Sequence, residues 1–131
     1  RYGSGGSEYY AEANRRTAVI PLVESSEGAA NFEKILRTPG ITAVFLGPVD
    51  LSAAMGLKGN VNAPEVRSAL LTMVEQANRA GIPVGALGLE PAFVRELFSR
   101  GLNFLAYGID TILMYQKCCE IQQAVFGRSA Q

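Results

Sequence analysis

Two acidic residues stand directly at the ends of apolar, strand-like stretches of this sequence. Glu24 closes the stretch 17–24, and Asp50 closes the stretch 41–50. The carboxyl ends of parallel strands meet at one edge of a sheet, which is where α/β proteins build their sites. Two carboxylates that converge there, with no Lys or Arg close to either in the sequence, form an oxygen-rich pocket suited to Mg²⁺ or Mn²⁺. The pair therefore indicates an enzyme.

Each carboxylate also has a purely structural interpretation. Glu24 could be an acid at the start of the next helix, where the helix dipole favours negative charge. Asp50 could cap the helical turn 51–55, because Asp is a preferred capping residue. The Gly47-Pro48 pair lets the backbone approach an anion closely, although an ordinary strand-end turn would have the same residues. The sequence leaves these alternatives open.

The elements that would position these residues alternate between strand and helix. Residues 1–16 form a Gly/Ser loop and a short polar helix that lead in. Apolar stretches predict strands at 17–24, 41–46, 82–87 and 102–107. Apolar residues at helical spacing, with start and stop signals, predict helices at 27–37, 51–55, 62–80, 91–100 and 110–126. Residues 17–126 are thus four β/α units, followed by a tail at 127–131.

Two architectures accommodate four such units: half of a (β/α)8 barrel, or a small doubly wound sheet. Strands that are apolar throughout are buried on both faces, which implies a parallel sheet covered by helices. A complete barrel needs about 250 residues, and this chain has 131. Every predicted strand is followed by a polar or Gly-rich turn, as on the site-bearing face of a barrel. We therefore expect an α/β fold of the TIM-barrel type, to which residues 1–131 contribute one partial domain.

Composition limits the class of protein further. Twelve basic and twelve acidic residues give a net charge of zero, with no basic stripe for nucleic acid and no polybasic membrane patch. We expect no membrane span, because no apolar stretch reaches about 20 residues, and no signal peptide. Cys118 and Cys119 are adjacent and cannot readily pair, which fits a reducing cytoplasm. Since the sequence has no histidine, a metal site must use oxygen ligands.

Several short segments together resemble the HpcH/HpaI aldolase and citrate lyase family. They are Val23-Glu24-Ser25, Phe45-Leu-Gly-Pro-Val-Asp-Leu-Ser52, Met55-Gly56 with Gly59-Asn60, Pro64-Glu65-Val66 and Tyr107-Gly-Ile-Asp110. The Gly-Pro-x-Asp-Leu-Ser stretch, whose Asp follows the strand-end Glu by 26 residues, is the specific signal. The resemblance runs from about residue 1 to 126 and covers strands five to eight, the C-terminal half of the family's barrel.

This resemblance implies a class II aldolase that reversibly cleaves a 2-keto-4-hydroxy acid to pyruvate and an aldehyde through a metal-stabilised pyruvate enolate. It implies that Glu24 and Asp50 bind Mg²⁺, Mn²⁺ or Co²⁺, and that the backbone amides of Val49 and Asp50 hold the substrate carboxylate. The family's catalytic histidine and its arginine lie on earlier strands and have no match in this chain. We therefore expect no catalytic acid or base here, inactivity of the 131 residues alone, and a homo-oligomer for the full-length protein.

The substrate class stays open at one position. The aldolase branch of the family has a substrate-contacting glutamine two residues before the metal-binding Glu, and this chain has Leu22 there. An acyl-CoA ester lyase of the malyl-CoA or citryl-CoA type is one alternative. A non-catalytic half-barrel module is another.

The remaining chemically reactive residues receive structural interpretations. A Schiff-base lysine in a strand is disfavoured, because the lysines fall on helices or a loop: Lys34, Lys58 and Lys117. Helix starts, supporting hydrogen bonds or packing are expected for Ser52, Glu90, Asp110, Cys118 and Cys119. The apolar face of the last helix, with Ile112, Tyr115 and Cys119, would pack against the barrel or a neighbouring subunit.

Overall fold

The computed structural model describes residues 6–88 and 90–127. The expected loop at 1–5, Leu89 in the turn after the third predicted strand, and the tail at 128–131 lie outside the described residues. Within this part of the chain, four strands and seven helices follow one another. They are α1 (Gly6–Arg16), β1 (Leu22–Val23), α2 (Ser26–Ala30), α3 (Phe32–Leu36), β2 (Val44–Leu46), α4 (Pro48–Ala54), α5 (Pro64–Ala80), β3 (Val84–Gly88), α6 (Pro91–Ser99), β4 (Phe104–Tyr107) and α7 (Asp110–Phe126).

The four strands form one parallel sheet in the order β1-β2-β3-β4. A doubly wound sheet reverses its strand order at a switch point, so the sequential order excludes that alternative. Consecutive parallel strands joined by helices are the arrangement of neighbouring strands in a (β/α)8 barrel. The predicted order of β/α units is therefore confirmed.

One face of this sheet packs against the helices and forms the core. Val23, Leu46 and Ala86 pair laterally across β1, β2 and β3, and all three are buried. Helix α5 packs against β3 and adds to the same core five buried residues at the predicted spacing: Val66, Leu70, Met73, Val74 and Ala77. Each large apolar side chain that is buried in this way stabilises the fold by about 1.5–3 kcal/mol.

The opposite face of the sheet is covered less completely. Leu22, Phe45, Gly85 and Phe104 form one lateral row there, and the Leu22 side chain is 52% exposed. The expectation that both faces are buried is therefore wrong for the outer strands. Four strands form only an arc of a barrel, so the face that would point into the barrel is still open.

Two predicted elements are shorter than the sequence pattern suggested. The stretch 17–24 contains only the two-residue strand β1, because Pro21 has no N–H to continue the ladder with β2. The predicted helix 27–37 divides into α2 and α3 at Asn31. The Asn31 side chain donates a hydrogen bond to the Glu27 carbonyl (3.0 Å), and such local bonds compete with helical backbone bonds.

The last two helices differ in how much apolar surface they bury. In α6 the buried residues are Phe93 and Leu97, whereas Phe98 is 45% exposed. No described residue of α7 is buried, and Ile112 and Tyr115 are exposed on it. Helix α7 therefore does not bury its apolar residues against the sheet of this chain.

Candidate active site

Glu24 and Asp50 lie at the same edge of the sheet. Glu24 directly follows β1, and Asp50 lies in the first turn of α4, which is separated from the end of β2 by Gly47 alone. The two strands are hydrogen-bonded neighbours in the register Val23 to Leu46, and the Gly47 amide donates to the Val23 carbonyl (3.0 Å). This register sets Glu24 opposite Gly47, three residues before Asp50.

The side chain of Glu24 lies across the α-carbon of Gly47. A Cβ atom placed on Gly47 would lie 2.9 Å from the Cβ of Glu24 and 3.1 Å from its Oε2. Because Gly47 is the N-cap residue of α4, this contact places the Glu24 carboxylate beside the N-terminus of the helix that carries Asp50. The sequence shows that residue 47 is a glycine, but the contact with Glu24 depends on the register between β1 and β2, which the sequence does not show.

Neither carboxylate belongs to the N-cap residue of the helix beside it. The N-cap of α2 is Ser25, whose Oγ accepts a hydrogen bond from the Gly28 amide (3.0 Å), so Glu24 precedes that helix. Helix α4 begins at Pro48, earlier than the predicted turn 51–55, so Asp50 lies inside its first turn. The capping alternative for Asp50 is therefore wrong. The alternative for Glu24, a favourable interaction with the helix dipole, stays a prediction, because Glu24 lies directly before the Ser25 cap of α2.

Both carboxylates are also uncommitted to other protein groups. Among the described residues, neither Glu24 nor Asp50 forms an ion pair or a side-chain hydrogen bond. Two carboxylates without a cationic partner at one sheet edge are a donor set that suits Mg²⁺ or Mn²⁺. Residues 6–88 and 90–127 contain no cluster of three or more His, Cys, Asp and Glu side chains that could hold a metal, so a cation here would need further ligands from substrate, water or other protein.

The first turn of α4 presents backbone N–H groups at the same place. Amides in the first turn of a helix have no intrahelical acceptor, and Gly47 has no side chain with which to cap those of Val49 and Asp50. Ser52 is fully buried, and its Oγ donates to the Val49 carbonyl (2.9 Å). Ser52 thus supports this turn, in agreement with the expected hydrogen-bonding role.

Glu90 is a helix-start acid, as predicted. Its carboxylate accepts hydrogen bonds from the amides of Ala92 (2.8 Å) and Phe93 (2.9 Å) at the start of α6. These two bonds, together with the nearby Arg67 guanidinium, hold the pKa of Glu90 below its ordinary value. Its oxygens are therefore committed to the helix and not to the edge with Glu24.

The structure also shows where the other chemically reactive residues lie. Asp110 is not the N-cap of α7: the cap is Ile109, and Asp110 is the first helical residue, where its carboxylate accepts from the Thr111 amide (2.8 Å). The lysines lie off the strands, as expected, on α3, in the α4–α5 loop and on α7: Lys34, Lys58 and Lys117. Cys118 and Cys119 are free thiols on α7.

Comparison with known proteins links this fold to a family. The sequence profile of the HpcH/HpaI aldolase/citrate lyase family matches residues 2–116. A 2-keto-3-deoxy-L-rhamnonate aldolase of Salmonella paratyphi B is 36% identical over 118 residues, which are 90% of this chain and 44% of the relative. A hydroxypyruvate/pyruvate aldolase of Pseudomonas aeruginosa is 36% identical over 115 residues, or 88% of this chain and 43% of the relative.

Solved structures show the same likeness. An HpcH/HpaI aldolase/citrate lyase family protein from Burkholderia cenocepacia superposes with a TM-score of 0.77 at 29% identity, over 90% of this chain and 46% of its own. An HpcH/HpaI aldolase from Desulfitobacterium hafniense, at 22% identity and a TM-score of 0.79, shares the fold over 91% of this chain and 46% of its own. The chain thus spans about half the length of the proteins it matches. None of the described helices is long and apolar enough to cross a membrane.

Proposed function

The chain belongs to the HpcH/HpaI aldolase/citrate lyase family, and from this membership we propose that it is part of a divalent-metal-dependent aldolase. The reaction is the reversible cleavage of a 2-keto-4-hydroxy acid to pyruvate and an aldehyde. The observation that carries the proposal is the pair of uncommitted carboxylates, Glu24 and Asp50, at the ends of two adjacent parallel strands.

The 131 residues supply strands five to eight of the barrel in this proposal. The sequential parallel strand order and the coverage of 46% of the Burkholderia structure support that assignment. Since the chain contains no histidine, the acid and base of the reaction would come from the other half of the barrel. This chain would contribute metal and substrate binding only.

Glu24 and Asp50 would hold the cation, which we expect to be Mg²⁺, Mn²⁺ or Co²⁺. Such a cation supplies a Lewis acid for the C2 oxygen of pyruvate when it is bound. With two carboxylate ligands from this chain, the cation would still have room to bind substrate and water. The amides of Val49 and Asp50 would bind the substrate carboxylate, because first-turn N–H groups point outward from a helix and favour anions. Ser52 would keep that turn rigid through its bond to the Val49 carbonyl.

The names of the relatives favour a keto-acid substrate over a CoA thioester. The relatives at 36% identity are a 2-keto-3-deoxy-L-rhamnonate aldolase and a hydroxypyruvate/pyruvate aldolase. One assay tests the acyl-CoA lyase alternative. The full-length protein with Mn²⁺ is given either a 2-keto-4-hydroxy acid or a malyl-CoA type ester, and the two turnover rates are compared. Faster turnover of the thioester would replace the aldolase assignment.

We further propose a homo-oligomer in the cytoplasm. Helix α7 supports the first part, because it exposes large apolar side chains such as Met114 (67%) and Tyr115 (61%). The free thiols of Cys118 and Cys119 support the second part, since unpaired thiols persist in a reducing compartment.

Calorimetric titration with Mn²⁺ and pyruvate tests the metal site. The variants are Glu24→Ala and Asp50→Ala, and Glu27→Ala is the matched control, an exposed acid in the first turn of α2. Circular dichroism first confirms that each protein is folded. We expect pyruvate-dependent Mn²⁺ binding by the wild type and the control, and its loss in both site variants.

Unchanged binding in either site variant would remove that residue from the metal site. If the 131-residue chain folds but does not bind, the same titration on the full-length protein decides between two explanations. Binding there means that the other half of the barrel shapes the site, and absence of binding there refutes the metal assignment.

A further inference from the structure

We propose that Gly47 is a positioning residue for Glu24: the space left by its missing side chain holds the Glu24 carboxylate beside the first turn of α4. This inference rests on the proposed metal site. It adds a residue whose contribution is the absence of a side chain.

Two side chains occupy the space above the α-carbon of Gly47. A Cβ atom there would lie 2.9 Å from the Cβ of Glu24, 3.1 Å from its Oε2 and 3.2 Å from the Cδ1 of Leu22. Carbon atoms in packed proteins approach to about 3.5–4.0 Å, so a methyl group would overlap with both neighbours. The Cβ of Glu24 is attached to the strand backbone and cannot rotate away, so its overlap is relieved only when the backbone moves. The overlap with the Oε2 of Glu24 is relieved when the carboxylate moves.

The backbone of Gly47 does not itself require glycine. Its φ of −100° and ψ of 91° are extended values that other residues adopt freely. Gly56 and Gly59 are the opposite case: their φ values are +77° and +82°, and a Cβ atom on either would meet nothing within 4 Å. Glycine is therefore needed at 56 and 59 for conformation, and at 47 for space.

The strand register determines the direction in which a side chain at residue 47 would displace Glu24. Glu24 is paired opposite Gly47 by the bond from the Gly47 amide to the Val23 carbonyl (3.0 Å). Pro48 follows at once and stiffens the entry to α4. A methyl group on residue 47 would therefore push the Glu24 carboxylate away from Asp50's turn, while Asp50 itself keeps its place in the helix.

The test compares Gly47→Ala with Gly28→Ala, a matched control. A Cβ atom on Gly28 is similarly crowded, at 3.1 Å from the Ser25 Oγ and 3.2 Å from the Val23 Cγ1, but it does not contact Glu24. The full-length protein is titrated with Mn²⁺ alone, with free Mn²⁺ measured by electron paramagnetic resonance. Urea unfolding of the metal-free proteins reports stability separately. We expect Mn²⁺ affinity to fall about 10- to 100-fold in Gly47→Ala, as for other residues that orient metal ligands, and to change less than about twofold in Gly28→Ala.

A second pair of variants keeps the test decisive if Gly47→Ala does not fold. Leu22→Ala opens space beside Gly47. In the double variant Gly47→Ala/Leu22→Ala, the new methyl group therefore no longer overlaps with the side chain of residue 22, but it still displaces Glu24. We expect the double variant to bind Mn²⁺ at least about tenfold more weakly than Leu22→Ala alone.

Two results would overturn the inference, and they are distinguishable. If Glu24→Ala abolishes Mn²⁺ binding while a folded Gly47→Ala, or the double variant, binds like its reference, Gly47 does not position Glu24 and the proposed metal site stands. If Glu24→Ala itself binds Mn²⁺ like the wild type, the metal role of Glu24 fails, and the role of Gly47 fails with it.

Discussion

The rings of Phe45 and Phe104 lie with their centroids 5.8 Å apart, although their strands β2 and β4 are separated by β3. Gly85 is the β3 residue between them in the lateral register. Because Gly85 has no side chain, the Phe104 ring lies over it and reaches Phe45. This contact joins three strands on the sheet face that the helices do not cover, two residues below the level of Glu24.

We predict that Gly85→Ala destabilises the fold by about 1–3 kcal/mol, the usual cost of overpacking. The new methyl group would overlap with the Phe104 ring. Urea unfolding of Gly85→Ala, Phe104→Ala and the double variant measures the coupling. In the Phe104→Ala background the same Gly85→Ala change is expected to cost much less. Equal costs in both backgrounds would show that the ring does not cause the effect.

A second prediction concerns two leucines in different environments. Leu70 on α5 is 1% exposed, whereas Leu113 on α7 is 46% exposed. Leu70→Ala should reduce the free energy of unfolding by about 2–5 kcal/mol through lost burial and a cavity. Leu113→Ala should change it by less than about 1 kcal/mol. Chemical denaturation measures both, and a large loss for Leu113→Ala in a monomeric sample would contradict the exposed position of α7.

The third prediction is a pH dependence at the start of α6. The pKa of Glu90 is lowered from its ordinary 4.5, first by the hydrogen bonds from the Ala92 and Phe93 amides and then by the Arg67 charge. A carboxyl whose pKa is depressed by folding contributes stability that is fully present above the unfolded pKa and is lost as pH falls through the folded pKa. Glu90→Gln should therefore be less stable than the wild type at pH 7, with a difference that shrinks below pH 4.5.

The control for this prediction is Glu96→Gln. Glu96 also faces Arg67, at 3.9 Å, but its side chain accepts no hydrogen bond from the start of α6. Urea unfolding at several pH values from 3 to 7 should give a smaller loss for Glu96→Gln at neutral pH. A Glu90→Gln difference that stays constant across this range would contradict the role of the ionised carboxylate.

A fourth prediction concerns the 131 residues by themselves. We expect no cleavage of a 2-keto-4-hydroxy acid above background, because the chain has no histidine to act as acid or base. Pyruvate release with Mn²⁺, followed by coupled lactate dehydrogenase, measures the rate. Sedimentation should show aggregation or pairing, since β1 and β4 are open edge strands in the sheet. Turnover well above background by a monodisperse monomer would reject the half-barrel proposal.

Much of this protein could be predicted from short-range patterns in its sequence. The five apolar residues of α5 recur at helical spacing and are all buried, and Glu90 stands before a Pro-initiated helix that it does cap. The order of strands and helices, and the placement of acids at strand ends, follow from residues that are close in the chain. Helix ends were less accurate: Asn62 and Asp110 have capping side chains, yet the caps are Ala63 and Ile109.

Tertiary structure alone decided the features that depend on residues far apart in the sequence. The sequential strand order excluded the doubly wound sheet, and the register of β1 against β2 brought Glu24 onto Gly47. Strand pairing joins residues that are at least 19 positions apart in the sequence, and hydrophobic patterns within each strand are compatible with several partners. The sequence by itself therefore determined which residues could form the site, whereas packing between strands decided where their side chains lie.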